Sequence, residues 1–147
     1  MLRVPLHQLD PELPLPRYAR DGDAGADLIA RSDAVLGCGG GRAVVPTGVA
    51  VAIPAGYAGL VLPRSGLAAR HGVTCLNAPG LVDSGYRGEL QVVLVNHDPV
   101  RDYEVNRGDR IAQLVLVRVD QVAFDVVTAD GLGDSARGDG GFGHTGT

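Results

Sequence analysis

Apolar residues along this 147-residue chain fall into short runs, most of which alternate with a two-residue period. In the run RAVVPTGVAVAI, for example, Val49, Val51 and Ile53 share one face while alanines occupy the other. Such alternation is typical of β-strands, because successive side chains of a strand point to opposite faces. It predicts strands over residues 3–9, 27–30, 42–53, 57–62, 73–76, 81–82, 89–96, 110–119 and 122–128, and one short helix over 65–71.

The strands predicted at 89–96 and 110–119 are apolar on both faces rather than on one. In the second of them, valines at every other position alternate with Leu114 and Leu116. An antiparallel sheet usually keeps one polar face toward water. We therefore expect these two strands either inside a sandwich of two sheets or at an interface between subunits.

Composition narrows the fold class. The 22 glycines and 9 prolines interrupt helices and argue against a helical bundle, a coiled coil or a doubly wound α/β domain. With 45% apolar residues and a net charge of −4, the chain also does not resemble a disordered protein. Many short strands separated by turn residues are typical of β-sandwiches, jelly rolls and barrels.

The last 17 residues differ from the rest, because 131–147 contain seven glycines and few apolar side chains. We therefore predict one β domain over 1–130 followed by a glycine-rich C-terminal arm. Such a segment buries too little surface to order itself. It is either a flexible tail or an arm that orders over a ligand or a neighbouring subunit.

All 13 cationic side chains are arginines, and none is lysine. Genomic base composition explains this bias, but planar arginine forks also suit phosphate binding. The negative net charge argues against an extended nucleic-acid-binding surface, and no apolar stretch is long enough to span a membrane. The first 20 residues contain four prolines and no signal-peptide pattern, so we expect a cytoplasmic protein whose cysteines, Cys38 and Cys75, are reduced and buried.

Five glycine-containing segments carry polar residues suited to ligand binding. They are DAGADLIA at 23–30, PRSGLA at 63–68, NAPGLVDSGYRGEL at 77–90, RGDRIAQL at 107–114 and RGDGGFGHTG at 137–146. In the second, Arg64, Ser65 and Gly66 at a helix start are typical of an anion site. The same three residues equally fit a serine N-cap beside a surface arginine.

The third and fifth segments are also open to two interpretations. Asn77, Asp83 and Tyr86 lie between apolar strands and could line a pocket for a heterocycle and a sugar, or could serve ordinary turns. In the fifth segment, Phe142 between glycines could stack on a base while Arg137 meets phosphate. Taken alone, neither segment decides between these interpretations.

Together the five segments resemble, in type, order and spacing, the five motifs of the homotrimeric dUTP pyrophosphatases (dUTPases) of bacterial type. The resemblance runs from about Ala24 to Thr145. It implies a jelly-roll-like β-sandwich, active sites shared between three subunits, and Mg²⁺-assisted hydrolysis of dUTP to dUMP and pyrophosphate. That activity limits uracil in DNA and supplies dUMP for dTMP synthesis. The implied partners are dUTP and two further copies of the chain, with no nucleic acid and no membrane.

The resemblance also implies residue roles. Asp83 would activate the water that attacks the α-phosphorus, Tyr86 would exclude a ribose 2′-hydroxyl, and Asp27 would hold Mg²⁺ through water. The residues implied to bind the rest of the substrate are Asn77, Leu81, Val82 and Gln91 around uracil, Arg64, Ser65, Gly66 and Gln113 on the phosphates, and Arg137, Phe142 and Gly143 in the closing arm. Arg87, Asp109 and Arg110 also lie within motifs, and we expect them to form structural ion pairs.

Two alternative functions fit the sequence less well. A dCTP deaminase of the same fold would place a glutamate on the strand after the hairpin that the third segment is expected to form, where this chain has Val92 and Val93. A non-catalytic nucleotide-binding trimer would be expected to lack Asp83 or the C-terminal arm, and both are present in the sequence.

Overall fold

The computed structural model describes residues 2–140, in which ten short strands dominate. The strands are β1 (Leu6–Gln8), β2 (Ala26–Ile29), β3 (Ala34–Leu36), β4 (Arg42–Val51), β5 (Tyr57–Leu62), β6 (Val73–Cys75), β7 (Gly80–Val82), β8 (Glu89–Asn96), β9 (Tyr103–Val105) and β10 (Arg110–Arg118). Helix α1 (Ser65–His71) and a 3-10 helix (Ala129–Leu132) are the helical elements of this part of the chain. The predicted all-β class with one short α-helix is confirmed.

Two four-stranded antiparallel sheets form the body of the fold. One has the strand order β1-β4-β8-β6 and the other β2-β10-β5-β7, while β3 and β9 pair as a separate ribbon. Side chains from both sheets meet in one buried core, to which Leu28, Val61 and Ile111 come from one sheet and Val45 and Leu90 from the other. The architecture is therefore the jelly-roll-like β-sandwich expected from the sequence.

The two strands that are apolar on both faces behave differently. In β8, Leu90, Val92 and Leu94 are almost fully buried, and Val95 on the other face is only 3% exposed. This strand lies inside the sandwich, as predicted. In β10, by contrast, the four residues from Leu114 to Val117 are all half-buried, so a single chain leaves this strand partly uncovered.

Most predicted elements are present, with ends shifted by a few residues, and there are two errors. Strands β3 and β9 were missed; each has only three residues, and the two pair with each other as a ribbon outside the main sheets. The strand predicted over 122–128 was wrong, since this segment pairs with no strand among residues 2–140. Its apolar side chains, including Phe124 at 91% exposure, find no partner strand within one chain.

The cysteines divide into one buried and one exposed thiol. Cys75 is buried in the core, and burial raises the pKa of its thiol to about 11. Both thiols are free, as expected, but the prediction that Cys38 is buried was wrong. It lies exposed in the turn after β3, where its N–H donates to Asp102 at 2.8 Å. Within residues 2–140, no helix combines the length and apolar character needed to cross a bilayer.

Asn96 at the end of β8 is the largest fully buried polar side chain in the described core. Its Nδ2 donates to the carbonyls of Leu36 and Arg101 at 3.0 and 2.8 Å, and its Oδ1 accepts from the N–H of Asp98 at 2.9 Å. The side chain thus ties β8 to β3 and to the loop before β9. It satisfies three backbone groups that burial would otherwise leave unpaired.

Replacing Asn96 by leucine should lower the free energy of unfolding by about 3 kcal/mol, because the branched shape of the side chain is kept while buried backbone groups lose their partners. Urea denaturation followed by circular dichroism measures this change. Asn106→Leu, at an exposed position in the turn after β9, is the matched control and should change stability little. Equal stability of the two variants would contradict the anchoring role of Asn96.

Candidate functional site

Three neighbouring strands bring residues of the first, second and fourth glycine-containing segments together. Asp27 of β2 pairs in register with Gln113 of β10, which in turn pairs with Leu62 of β5. Arg64 and helix α1 follow directly from the end of β5. The resulting cavity has a volume of about 400 Å³ and is lined by Ala19, Asp23, Ala24, Gly25, Asp27, Leu62, Arg64, Ser65, Gly66, Arg110, Gln113 and Val115.

Two guanidinium groups flank the carboxylate of Asp27 in this cavity. Nε of Arg64 lies 3.5 Å from one carboxylate oxygen, and Nη1 of Arg110 lies 3.3 Å from the other. The Asp27 side chain is only 17% exposed, whereas Arg64 and Arg110 are 28% and 53% exposed. Both arginines are therefore held in place by Asp27 and still present N–H donors to an anion entering from solvent.

Gln113 is fixed in position from two sides. Its Nε2 donates to the carbonyl of Pro63 at 3.0 Å. Its Oε1 lies so close to Gly25 that a Cβ built there would approach it to 2.5 Å. The glycine of the first segment is therefore needed for close approach of the two strands, and any side chain there would displace Gln113.

The start of helix α1 rules out one of the two interpretations of the PRSG sequence. The residue that caps the helix is Arg64, without a side-chain capping bond, so the serine N-cap interpretation is wrong. The Ser65 hydroxyl makes no hydrogen bond within residues 2–140 and lines the cavity. Because Ser65 and Gly66 lie in the first helical turn, their N–H groups have no intrahelical acceptor. These donors are open to a ligand.

A second cavity lies at the loop between β7 and β8. These two strands belong to different sheets and do not pair with each other, so the hairpin expected for the third segment is absent from the described residues. The cavity has a volume of about 190 Å³ and is lined by Leu81, Val82, Asp83, Tyr86, Leu90 and Gln91. Its floor is apolar, with Leu90 and Val82 buried, while the side chains of Asp83, Tyr86 and Gln91 are at its exposed rim. A flat ring placed here would meet apolar surface beneath it and polar groups at its edge.

Hydrogen bonds within the β7–β8 loop fix the positions of Asp83 and Tyr86. The N–H of Tyr86 donates to the carbonyl of Asp83 at 3.1 Å, which closes the turn. The guanidinium of Arg87 donates to the carbonyls of Ser84 and Tyr86 at 2.6 and 2.8 Å. Arg87 thus braces the backbone of the turn, and its predicted ion pair is absent from the described residues.

The two cavities share no lining residue, and the strand register shows that they lie far apart. Asp83 follows Val82, which pairs with Gly59 near the start of β5. Arg64 follows the end of the same strand. At ~3.3 Å per residue, five residues separate the two ends by roughly 16 Å. A single chain therefore does not bring Asp83 and Arg64 to one phosphate group.

The remaining predicted residues are placed as follows. Asn77 is exposed before β7, and its amide packs against Gly80. Arg137 is exposed, donates through Nε to the carbonyl of Gly140 at 2.7 Å, and lines neither cavity. Phe142 and Gly143 lie outside the described residues.

Arg110 is the residue of the first cavity that the sequence failed to assign. The predicted structural ion pair is present, with Asp27, but its location in the cavity was not foreseen. A bulge between Arg110 and Ala112 adds one residue to β10 relative to β2 and reverses the alternation of faces. Arg110 consequently shares a face with Gln113. Asp109 forms no ion pair within residues 2–140 and instead accepts from the N–H of Asn106 at 2.9 Å.

The donor set of the first cavity fits a magnesium ion that is bound mainly by other ligands. Among residues 2–140, no three His, Cys, Asp or Glu side chains are grouped closely enough to hold a metal by themselves. Asp27 alone supplies a half-buried carboxylate beside the anion donors. Magnesium typically keeps several waters and binds through one or two carboxylates and substrate phosphates.

Comparison with known proteins gives consistent matches along the chain. The family model described as dUTPase matches residues 11–146. The deoxyuridine 5′-triphosphate nucleotidohydrolase of Thermobifida fusca is 61% identical over 145 residues, which cover 99% of this chain and 79% of that protein. The corresponding protein of Mycolicibacterium gilvum is 56% identical over 142 residues, covering 95% of this chain and 92% of its own.

Solved structures agree with these sequence matches. The Staphylococcus bacteriophage 80alpha dUTPase with dUPNHPP is similar with a TM-score of 0.86 and 27% identity, over 100% of both chains. A mutant of the dUTPase from phage phi11 of S. aureus, whose structure reveals the coordination of a structural Mg(II) ion, has a TM-score of 0.77 and 26% identity. That match covers 88% of this chain and 99% of the phage chain.

Proposed function

Since this chain belongs to the dUTPase family and is a dUTP nucleotidohydrolase, which converts dUTP to dUMP and pyrophosphate, we propose that its active site forms between subunits. In this proposal the cavity with Asp27, Arg64 and Gln113 of one subunit receives the triphosphate, and the β7–β8 loop of another subunit holds the nucleoside. The observation that carries the proposal is the location of Asp83 and Arg64 at opposite ends of β5.

A homotrimer of bacterial type is the assembly that we propose. The partly uncovered strand β10 supports it, because Leu114 and Leu116 line an apolar cavity of about 470 Å³ that also includes Leu2, Val4, Leu6 and Tyr57. Open apolar surface of this kind is typical of subunit interfaces. The cytoplasmic location remains a prediction from the sequence.

The proposed chemistry places Asp83 beside the α-phosphate. Its exposed carboxylate accepts a proton from the attacking water and also contacts the 3′-hydroxyl. The water then forms the new bond to phosphorus as the bond to the bridging oxygen breaks, and pyrophosphate leaves. Arg64, Ser65, Gly66 and Gln113 hold the phosphate oxygens through the donors described above, and Arg110 adds a further guanidinium beside them.

Mg²⁺ is the proposed cofactor, with Asp27 as its protein contact, through water. When bound, it would neutralise part of the phosphate charge and favour an in-line arrangement of the attacking and leaving oxygens. A dUTPase of similar fold, the phage phi11 mutant, also binds a Mg(II) ion, which is described as structural. Asp27 meanwhile orients the two arginines that flank it.

We propose that the β7–β8 loop selects the base and the sugar. Asn77, with the backbone of Leu81 and Val82 and the region of Gln91, would hydrogen-bond the uracil edge. Cytosine would leave buried partners unpaired there, which is costly. The ring of Tyr86 would pack against the deoxyribose and leave no room for a 2′-hydroxyl.

Replacing Tyr86 by alanine should admit UTP, because the ring that fills the 2′ position is removed. The measurement is pyrophosphate release from dUTP, dTTP, dCTP and UTP by wild-type and variant enzyme. The wild type should act on dUTP alone, whereas the variant should raise kcat/KM for UTP by about tenfold or more. Continued refusal of UTP by Tyr86→Ala would place sugar selection elsewhere, and wild-type turnover of dCTP would contradict the substrate assignment.

Residues 131–147 are proposed to form an arm that closes over the site of another subunit, with Phe142 and Gly143 at the uracil and Arg137 at the γ-phosphate. Deleting residues 138–147 should leave a folded trimer whose kcat/KM for dUTP is reduced by about 10- to 100-fold, because closure of the site is lost. Light scattering and thermal unfolding serve as controls for assembly and folding. Unchanged turnover would show that the arm is a flexible tail without a catalytic role.

A further inference from the structure

Glu89, the first residue of β8, is held through both its backbone and its side chain. Its carbonyl oxygen accepts a hydrogen bond from the Tyr86 hydroxyl at 2.9 Å. Its carboxylate accepts from the N–H of Gly48 at 2.7 Å and from Nη1 of Arg31 at 3.2 and 3.3 Å. The side chain is 19% exposed, so these bonds are partly shielded from water. Glu89 therefore links the ring of Tyr86 to β4, through Gly48, and to the loop between β2 and β3, through Arg31.

A bulge in β4 creates the backbone part of this link. The pairing of β4 with β8 shifts between Pro46 and Ala50, so that the intervening residues bow out of the ladder. Within the bulge, Gly48 adopts a φ of +74°, a conformation that favours glycine. The hydroxyl of Thr47, itself buried, donates to the carbonyl of Leu90 at 2.7 Å. The bulge thus forms hydrogen bonds with Glu89 and Leu90, the first two residues of β8.

Arg31 is in turn fixed by a chain of ion pairs. Its Nε lies 3.3 Å from Asp10, and the same carboxylate binds both terminal nitrogens of Arg107 at 2.6 and 3.1 Å. The hydrogen bond from Arg107 is the largest cause that lowers the pKa of Asp10 to about 2. Asp10 is therefore ionised at neutral pH and holds both guanidinium groups.

We propose that Arg31 and Glu89 are positioning residues that hold the Tyr86 ring and thereby set how strictly the enzyme refuses ribonucleotides. The inference rests on the proposed role of Tyr86 in sugar selection. A tyrosine side chain in an exposed turn is otherwise free to rotate about its Cα–Cβ bond. The hydroxyl bond to Glu89 removes that freedom, and the Gly48 and Arg31 contacts keep the acceptor in place. The ring then blocks the 2′ position without needing to move when substrate binds.

The test compares Tyr86→Phe, Arg31→Met and Glu89→Ala with wild-type enzyme. Each should lower the ratio of kcat/KM for dUTP to that for UTP by about tenfold, since small displacements of positioning groups have effects of this size. The value of kcat for dUTP should change less, because Asp83 is untouched. Glu89→Gln should restore much of the preference, since its amide oxygen still accepts from Gly48.

A double variant and a matched control sharpen the test. If the network acts through the tyrosine hydroxyl, Glu89→Ala should add little in a Tyr86→Phe background. Glu104→Ala, at an exposed position of β9, removes a similar charge outside the network and should keep the full preference for dUTP. Thermal unfolding separates a loss of stability from a loss of selectivity.

The outcomes distinguish this inference from the role of Tyr86 itself. If Tyr86→Ala admits UTP but Tyr86→Phe and Arg31→Met keep the wild-type preference, the positioning network is ruled out and the role of the ring stands. If Tyr86→Ala also refuses UTP, the proposed role of the ring fails, and the inference fails with it. Should Glu89→Ala not fold, Tyr86→Phe decides, because it removes a single oxygen.

Discussion

Asp83→Asn is expected to lower kcat for dUTP by about 10²- to 10⁴-fold while nucleotide binding stays within a few-fold of wild type. An asparagine amide has the size of the carboxylate but does not take a proton from water at neutral pH. Steady-state pyrophosphate release gives kcat, and calorimetric titration with a non-hydrolysable dUTP analogue gives the affinity. A fall in kcat without loss of affinity would identify a group that acts in the transition state.

Asp83→Asn should not disturb the fold, because the Asp83 side chain makes no hydrogen bond within residues 2–140 and is exposed. The turn that carries it is held by backbone bonds and by Arg87 instead. Asp83→Asn should therefore leave the thermal unfolding temperature unchanged. Asp120→Asn, at an exposed position after β10, is the matched control and should be fully active. Near-normal turnover by Asp83→Asn would remove this residue as the base.

Regular alternation was the part of the fold that the sequence could predict. In β8, which buries residues on both faces over eight positions, the pattern located both ends correctly, and in the long strands β4 and β10 it was wrong by two residues and one residue at the C-terminal end. The helix after the second glycine-containing segment was also predicted with its observed bounds. In these elements local preference and burial in the core favour the same structure, so the pattern alone is sufficient.

The bulges in β4 and β10 could not be predicted, because they change which face a residue occupies without changing its type. One residue added to β10 turns Arg110 toward Gln113 and into the first cavity. The bulge in β4 turns the N–H of Gly48 toward Glu89. Both effects depend on which strand is the partner and in what register, information that emerges only from the assembled sheets.

The segment 122–128 shows a different limit. Its sequence suits a strand, yet one chain offers it no strand to pair with, and its valines and Phe124 are exposed. Strand propensity describes how readily a segment forms a β-strand when another strand is available to pair with it. The candidate site shows a related limit. Its glycine-containing segments could be recognised from the sequence, but only the family resemblance, and not the residues themselves, indicated that they are divided between separate places.

Chains carrying Arg64→Ala and chains carrying Asp83→Asn, each nearly inactive alone, are expected to recover about a quarter of wild-type activity when assembled together in equal amounts. A functional site needs Arg64 from one subunit and Asp83 from another. If Arg64 comes from an Asp83→Asn chain and Asp83 comes from an Arg64→Ala chain, the site has both groups intact. Random assembly produces this combination at about one site in four.

The measurement is specific pyrophosphate release after the two variants have been unfolded together and refolded, with separately refolded samples mixed afterwards as the control. Wild-type chains refolded with the double variant provide a second comparison at the same ratio. Shared sites should again give about a quarter of wild-type activity, whereas sites contained in one chain would give about half. No recovery in the first mixture, together with half activity in the second, would contradict a site formed between subunits. The roughly 16 Å between the two ends of β5 would then have to be closed by rearrangement within one chain, and that would require breaking the register that pairs β5 with β7.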